Sequence, residues 1–103
     1  MTGHFAITRK PSTGRPSLIV LQVSGELDLA ARDDLRAAIV RATSDGSDVM
    51  IDLEAVTFLD SEALSALIDG RHAAETARVS LRLAGAQGSV RRVLEITGVL
   101  TSE

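Results

Sequence analysis

The period of the apolar residues switches repeatedly along this chain, and that succession is what most restricts its fold. Phe5-Ala6-Ile7-Thr8-Arg9 alternates apolar and polar residues, as a strand with one wet face does. The stretch from Pro11 to Pro16 is dense in turn formers and is expected to join it to a second strand. That strand is the apolar run Leu18-Ile19-Val20-Leu21, continuing to Val23 in the manner of a central strand, with Ser24 to Asp28 expected to break it. Leu35, Ala38, Ile39 and Ala42 then share one helical face and predict a helix over roughly Ala31–Thr43, stopped by Gly46. Val49–Leu53 reads as a third strand. Leu64, Leu67 and Ile68 predict a helix that begins near Ser61 and ends between Gly70 and Thr76. Val79–Leu83 alternates cleanly as a fourth strand. A last helix carries Val90, Val93, Leu94 and Thr97 on one face, with Gly98 just past its end.

Strands that alternate with helices imply parallel pairing through right-handed crossovers. The expected architecture is a mixed α/β sheet of four strands with helices mainly on one face, formed by a single domain over residues 1–103. Gln22, Asp52, Ser80 and Arg82 would occupy the barer face. Binding sites in such sheets collect at the carboxyl ends of the strands. Gly25–Asp28 and Leu59–Ser61 both lie at such ends, so the two acidic loops are predicted to be neighbours.

Several functional classes are disfavoured. The chain has a net charge of −3 and no Trp or Tyr, leaving Phe5 and Phe58 as its aromatic residues, which is a poor basis for a nucleic-acid surface. No apolar run approaches the roughly 20 residues needed to span a bilayer, and Met1 to Phe5 does not open a secretory leader. Zero cysteines exclude disulfides and suit a reducing compartment, so a cytoplasmic protein is expected. There is no phosphate-cradling loop: Gly85-Ala86-Gln87-Gly88 lacks a following Lys-Ser/Thr. His4 and His72 have no recognisable catalytic partner. Glu26, Asp28, Asp52, Glu54, Asp60 and Glu62 are explained by solvation and helix-start electrostatics, and Arg91-Arg92 by a solvated helix face. No enzyme, cofactor or metal is expected.

One point in the chain carries chemistry of another kind. Ser61 stands between Asp60 and Glu62, at or beside the start of the second helix. Backbone N–H groups there lack intrahelical partners and the dipole favours negative charge, so a phosphate could be accommodated without unfolding. A serine at a helix start also has an ordinary explanation, as a cap.

Val23-Ser24-Gly25-Glu26-Leu27-Asp28, then Ile51-Asp52-Leu53 and Val56-Thr57-Phe58-Leu59-Asp60-Ser61, resemble the STAS domain of anti-sigma factor antagonists. The resemblance continues through Leu81-Arg82-Leu83-Ala84-Gly85 and Val90 to Gly98, so that it covers about residues 5 to 100. It implies a non-catalytic component of a bacterial partner-switching pathway. Such a protein binds an anti-sigma factor that is also a serine kinase of the histidine-kinase fold. Phosphorylation breaks the complex, and a metal-dependent serine phosphatase resets it. By position, the resemblance makes Ser61 the phosphoacceptor and puts Glu26, Asp28, Asp60, Glu62 and Ser65 with it on the partner surface. A monomer or weak dimer is compatible with an exposed sheet edge.

Three departures stand out. Glu62 and Ala63 replace the small residue and glycine that usually follow the serine, placing a negative charge where a kinase brings ATP. Ala30-Ala31 is a poor cap where the family often starts its first helix with Thr or Ser. Relatives often continue through a further helix beyond the point matching Glu103. Two other readings keep the same fold: a non-phosphorylated subunit that docks onto an ABC-type transporter ATPase, and a small-ligand or nucleotide-binding STAS domain, which the missing phosphate cradle disfavours.

Overall fold

Inward-facing aliphatic residues on adjacent strands line up rung by rung and so set the sheet. Ile19 pairs with Val49 and Leu21 with Ile51, while Val49 and Ile51 pair in turn with Leu81 and Leu83. The computed structural model describes residues 4–12 and 15–98. Its elements are β1 (Phe5–Ser12), β2 (Arg15–Leu27), α1 (Leu29–Ser44), β3 (Asp48–Leu59), α2 (Ser61–Ala77), β4 (Leu81–Ala84) and α3 (Gly88–Thr97). They form one four-stranded sheet in the order β1-β2-β3-β4. β1 runs antiparallel to β2, and the other two pairings are parallel.

This is the mixed α/β sheet expected, with α1 and α2 as its two crossover helices. Leu35 and Ile39 of α1, Ala63, Ala66 and Leu67 of α2, and Val90 and Leu94 of α3 are buried in one core with the aliphatic residues of β2 and β3. Gln22 and Arg82 are exposed and Asp52 is half-buried, as the barer face requires. Ser80 is exposed too, but it precedes β4, where its carbonyl accepts from the Val49 amide at 2.9 Å.

Several boundaries differ from the sequence reading, each for a physical reason. β1 continues through Pro11 to Ser12, and β2 starts at Arg15. The middle of the expected turn, residues 13–14, lies outside the described residues, as does the end of the chain from residue 99. β2 is not broken at Ser24 but continues through Gly25 to Leu27 and ends only before Asp28. Gly25 stays in the sheet at φ +90°, paired with Phe5, where a Cβ would come 1.9 Å from the His4 carbonyl oxygen. Only glycine allows that approach, and it lets the Glu26 amide donate to the same oxygen at 2.7 Å.

β3 runs to Leu59 because it stays paired with β2 as far as Leu27, fitting two more residues than β2 into the stretch between the Leu18 pairing with Asp48 and the Leu27 pairing with Leu59. Gln22 to Ser24 of β2 is matched by Asp52 to Ala55, and Gly25 to Glu26 by Val56 to Phe58. The extra residues are bulges. Leu53, Val56 and Leu59 therefore face the core three positions apart instead of two.

α2 passes straight through Gly70, which is buried, and ends at Ala77 with Arg78 in the left-handed conformation as its cap. α3 buries Val90 and Leu94, whereas Thr97 is exposed and donates to the Val93 carbonyl at 2.8 Å.

Candidate functional site

The carboxyl ends of β2 and β3 are tied together, and this tie builds the site. Leu27 pairs with Leu59, and the Asp60 amide donates to the Leu27 carbonyl at 3.0 Å. Each strand then hands over to a helix through an aspartate. Asp28 is the N-cap of α1 and accepts from the Ala30 amide at 3.0 Å. Asp60 is the N-cap of α2, with one carboxylate oxygen accepting from both the Glu62 and Ala63 amides at 3.0 Å. Aspartate is well suited to both places, since it satisfies orphan amides and lays negative charge on the positive end of the helix dipole. The supposed poor cap at Ala30-Ala31 is thereby corrected. The helix begins two residues earlier than the apolar periodicity suggests.

Ser61 is the first residue of α2 and is exposed. It stands beside the cap and does not serve as one: Asp60 has taken that task. Ser65 follows one helical turn later and is also exposed. Glu26 is exposed at the end of β2 and lies beside Phe58 of β3. The two aspartates, Ser61, Glu26 and Glu62 therefore share one end of the sheet, with Ser65 a turn along α2. The predicted neighbourhood of the two acidic loops is what the structure contains.

Glu62 has a partner that the sequence did not suggest. Nη1 of Arg32, on α1, lies 2.8 Å from Oε1 of Glu62. Arg32 also contacts Asp33 through Nε at 3.3 Å. These hydrogen bonds, Glu62 first, hold the Arg32 pKa above the ordinary guanidinium value. The permanent negative charge noted at position 62 is thus compensated locally. Arg32 sits four residues after the capping Asp28, but its reach across to α2 becomes visible only once the helices are packed.

Leu29 and Phe58 were also missed. Both are large apolar side chains that remain exposed, at 58% and 49%. The other polar candidates have structural roles or none near the site. Asp52 accepts from the Glu54 amide at 3.0 Å in the β3 bulge, and Arg91 pairs with Glu95 at 2.8 Å one turn away on α3. His4 and His72 are exposed. Among the described residues no group of three or more His, Asp or Glu could hold a metal ion, and no helix is long and apolar enough to cross a membrane. A groove of about 740 Å³ between β1 and α1, floored by Phe5, Ile7 and Leu21, does not include Ser61.

Comparison with known proteins agrees with this architecture. A STAS-domain containing protein of Pseudomonas aeruginosa (strain UCBPP-PA14) is 34% identical over 93 residues, covering 90% of this chain and 91% of that protein. The crystal structure of an anti-sigma factor antagonist from Mycobacterium paratuberculosis matches with a TM-score of 0.80 at 25% identity, over 96% of this chain and 84% of that one. The anti-sigma factor antagonist SpoIIAA in its unphosphorylated form shares the fold, with a TM-score of 0.77 at 24% identity over 91% of this chain and 82% of its own. The phosphorylated form of SpoIIAA, from Bacillus, shares it with a TM-score of 0.71 at 23% identity, over 91% and 85%. The family model of the STAS domain matches residues 9–103, nearly the whole chain, and this protein belongs to the STAS domain family.

Proposed function

We propose that this STAS domain is an anti-sigma factor antagonist of a partner-switching pathway. In this reading it is a cytoplasmic, non-catalytic protein that binds an anti-sigma factor with serine kinase activity. Phosphorylation of Ser61 releases it, and a metal-dependent phosphatase restores binding. The observation that carries the proposal is the division of labour at the start of α2. Asp60 performs the capping, so Ser61 is left exposed at the end of the sheet that also carries Asp28 and Glu26, without a structural task of its own. The likeness to the mycobacterial antagonist and the two solved forms of SpoIIAA support it.

The sequence departure at position 62 is compatible with a switch, because Arg32 pairs with the added carboxylate. The test is intact-mass and fragment analysis of the protein isolated from its native cells, before and after phosphatase treatment. A phosphate removable from Ser61 is the expected result. A protein unmodified under every growth and stress condition overturns the switch. Co-purification with an ABC-type transporter ATPase, unaffected by substitution of Ser61, would then identify the docking-subunit alternative.

A further inference from the structure

We propose that Phe58 and Leu29 are the apolar anchors of the surface around Ser61, and that the partner receives them in an apolar pocket rimmed by arginine or lysine. This inference rests on the antagonist reading above and specifies the partner's contact surface. Isolated exposed apolar residues are common on any protein and need no function. These two differ in their placement. Phe58 is in register with Glu26, so the ring and the carboxylate leave the same face of the sheet side by side. Leu29 directly follows the capping Asp28. Phe58 lies three residues before Ser61, within about 10 Å of even fully extended chain. The Asp60–Leu27 hydrogen bond brings the loop that precedes Leu29 to the same place.

The surrounding charge indicates what covers them. Among the described residues, no ion pair involves Glu26, Asp28 or Asp60. The cation contributed by α1 to this end of the molecule, Arg32, is already engaged by Glu62 and Asp33. The surface is therefore apolar at its anchors and anionic at its rim. A partner with an apolar pocket and a basic rim complements both features, and a second copy of the same acidic surface does not. An aromatic anchor of this kind commonly carries a large share of an interface's binding energy. Three residues from Ser61 along the chain, it would also be shielded from water in the same event that buries the hydroxyl.

The test uses photo-crosslinking of the full chain in its native cells. Phe58→p-benzoylphenylalanine and Leu29→p-benzoylphenylalanine are made separately, with Ser65→p-benzoylphenylalanine marking the partner and Val40→p-benzoylphenylalanine, well along α1, as control. The expected result is that positions 58, 29 and 65 all label one ATP-binding anti-sigma factor, at apolar residues adjoining Arg or Lys, while position 40 does not. Labelling of that factor from 65 but not from 58 or 29 overturns the inference and leaves the antagonist reading intact. Adducts from 58 or 29 to a second copy of this chain also overturn it. An absence of adducts from all three positions overturns both. With the labelled factor purified, Phe58→Ala and Leu29→Ala should each weaken binding about tenfold or more, at an unchanged unfolding midpoint. Val40→Ala should leave affinity unchanged, and equal affinity for all three variants defeats the proposal.

Discussion

Arg32 and Glu62, 30 positions apart in sequence, join the first turns of α1 and α2 through a 2.8 Å contact. Both side chains remain substantially solvated, at 41% and 45% exposure, so the contact is a surface ion pair whose strength depends on screening. A double-mutant cycle with Arg32→Gln and Glu62→Gln, read by urea unfolding, should give a small favourable coupling at low salt. It should vanish near about 1 M salt, where the Debye length falls to roughly 3 Å. The Arg32 pKa is raised in the folded protein, so its contribution is fully present below the unfolded value and is lost only as pH climbs through the folded one. The coupling should therefore be flat from about pH 6 to pH 9, far below any guanidinium pKa. A coupling that persists in high salt would contradict the solvated geometry.

The two capping aspartates should differ in worth. Asp60 satisfies two amides and Asp28 one. Replacing a capping aspartate by alanine typically costs about 0.5–2 kcal/mol. Asp60→Ala is expected in the upper part of that range and Asp28→Ala in the lower part, with Asp60→Asn retaining most of the stability. Urea midpoints of the three variants measure it. Equal losses at both positions would mean that the second amide bond at Asp60 contributes nothing.

Gly70 is a packing residue in the middle of a helix. A Cβ there would lie 2.6 Å from Cγ2 and 2.9 Å from Cδ1 of the fully buried Ile39. Gly70→Ala gains about 1 kcal/mol in helix propensity, yet it must separate α1 from α2, and overpacking of this kind typically costs about 1–3 kcal/mol. Net destabilisation is expected. Ile39→Ala removes both clashing carbons, so the double variant should be more stable than the sum of the single losses predicts. Strict additivity in thermal unfolding would show that the helices accommodate the methyl group in another way.

The order of strands and helices was legible because aliphatic periodicity is a local property. Ile19, Leu21 and Val23 alternate with exposed or half-buried neighbours, and Leu35 and Ile39 recur at helical spacing. The end of β3 was not legible, since bulges place Leu53, Val56 and Leu59 at a spacing of three that fits neither simple pattern. Gly25 reads as a break in isolation. It is a strand residue only because β1 passes so close that no side chain fits. At the site, the acidic loops could be placed from the element order alone. The Arg32–Glu62 pair could not, because which faces of α1 and α2 meet depends on Gly70 admitting Ile39.

Ser61→Ala and Ser61→Asp should separate the bound from the released condition of the antagonist proposed above. Ser61 is exposed and does not cap α2, so neither substitution removes a buried contact, and both variants should unfold close to the parent. Their difference lies in charge. A phosphoserine carries about −1.5 to −2 units at neutral pH, close to Asp60 and to the Asp28 loop. A new like-charge contact near 4 Å costs about 1 kcal/mol in bulk water and about 4 kcal/mol at an effective dielectric of about 20. At about 1.4 kcal/mol per tenfold in affinity, that spans several-fold to nearly a thousandfold. Aspartate supplies only one unit of charge, so Ser61→Asp should weaken the kinase complex toward the lower part of that span, while Ser61→Ala binds constitutively. Isothermal titration against the cognate anti-sigma factor decides it. Equal affinity for the two variants would remove electrostatic repulsion as the release mechanism, whatever the phosphorylation state of the serine in cells.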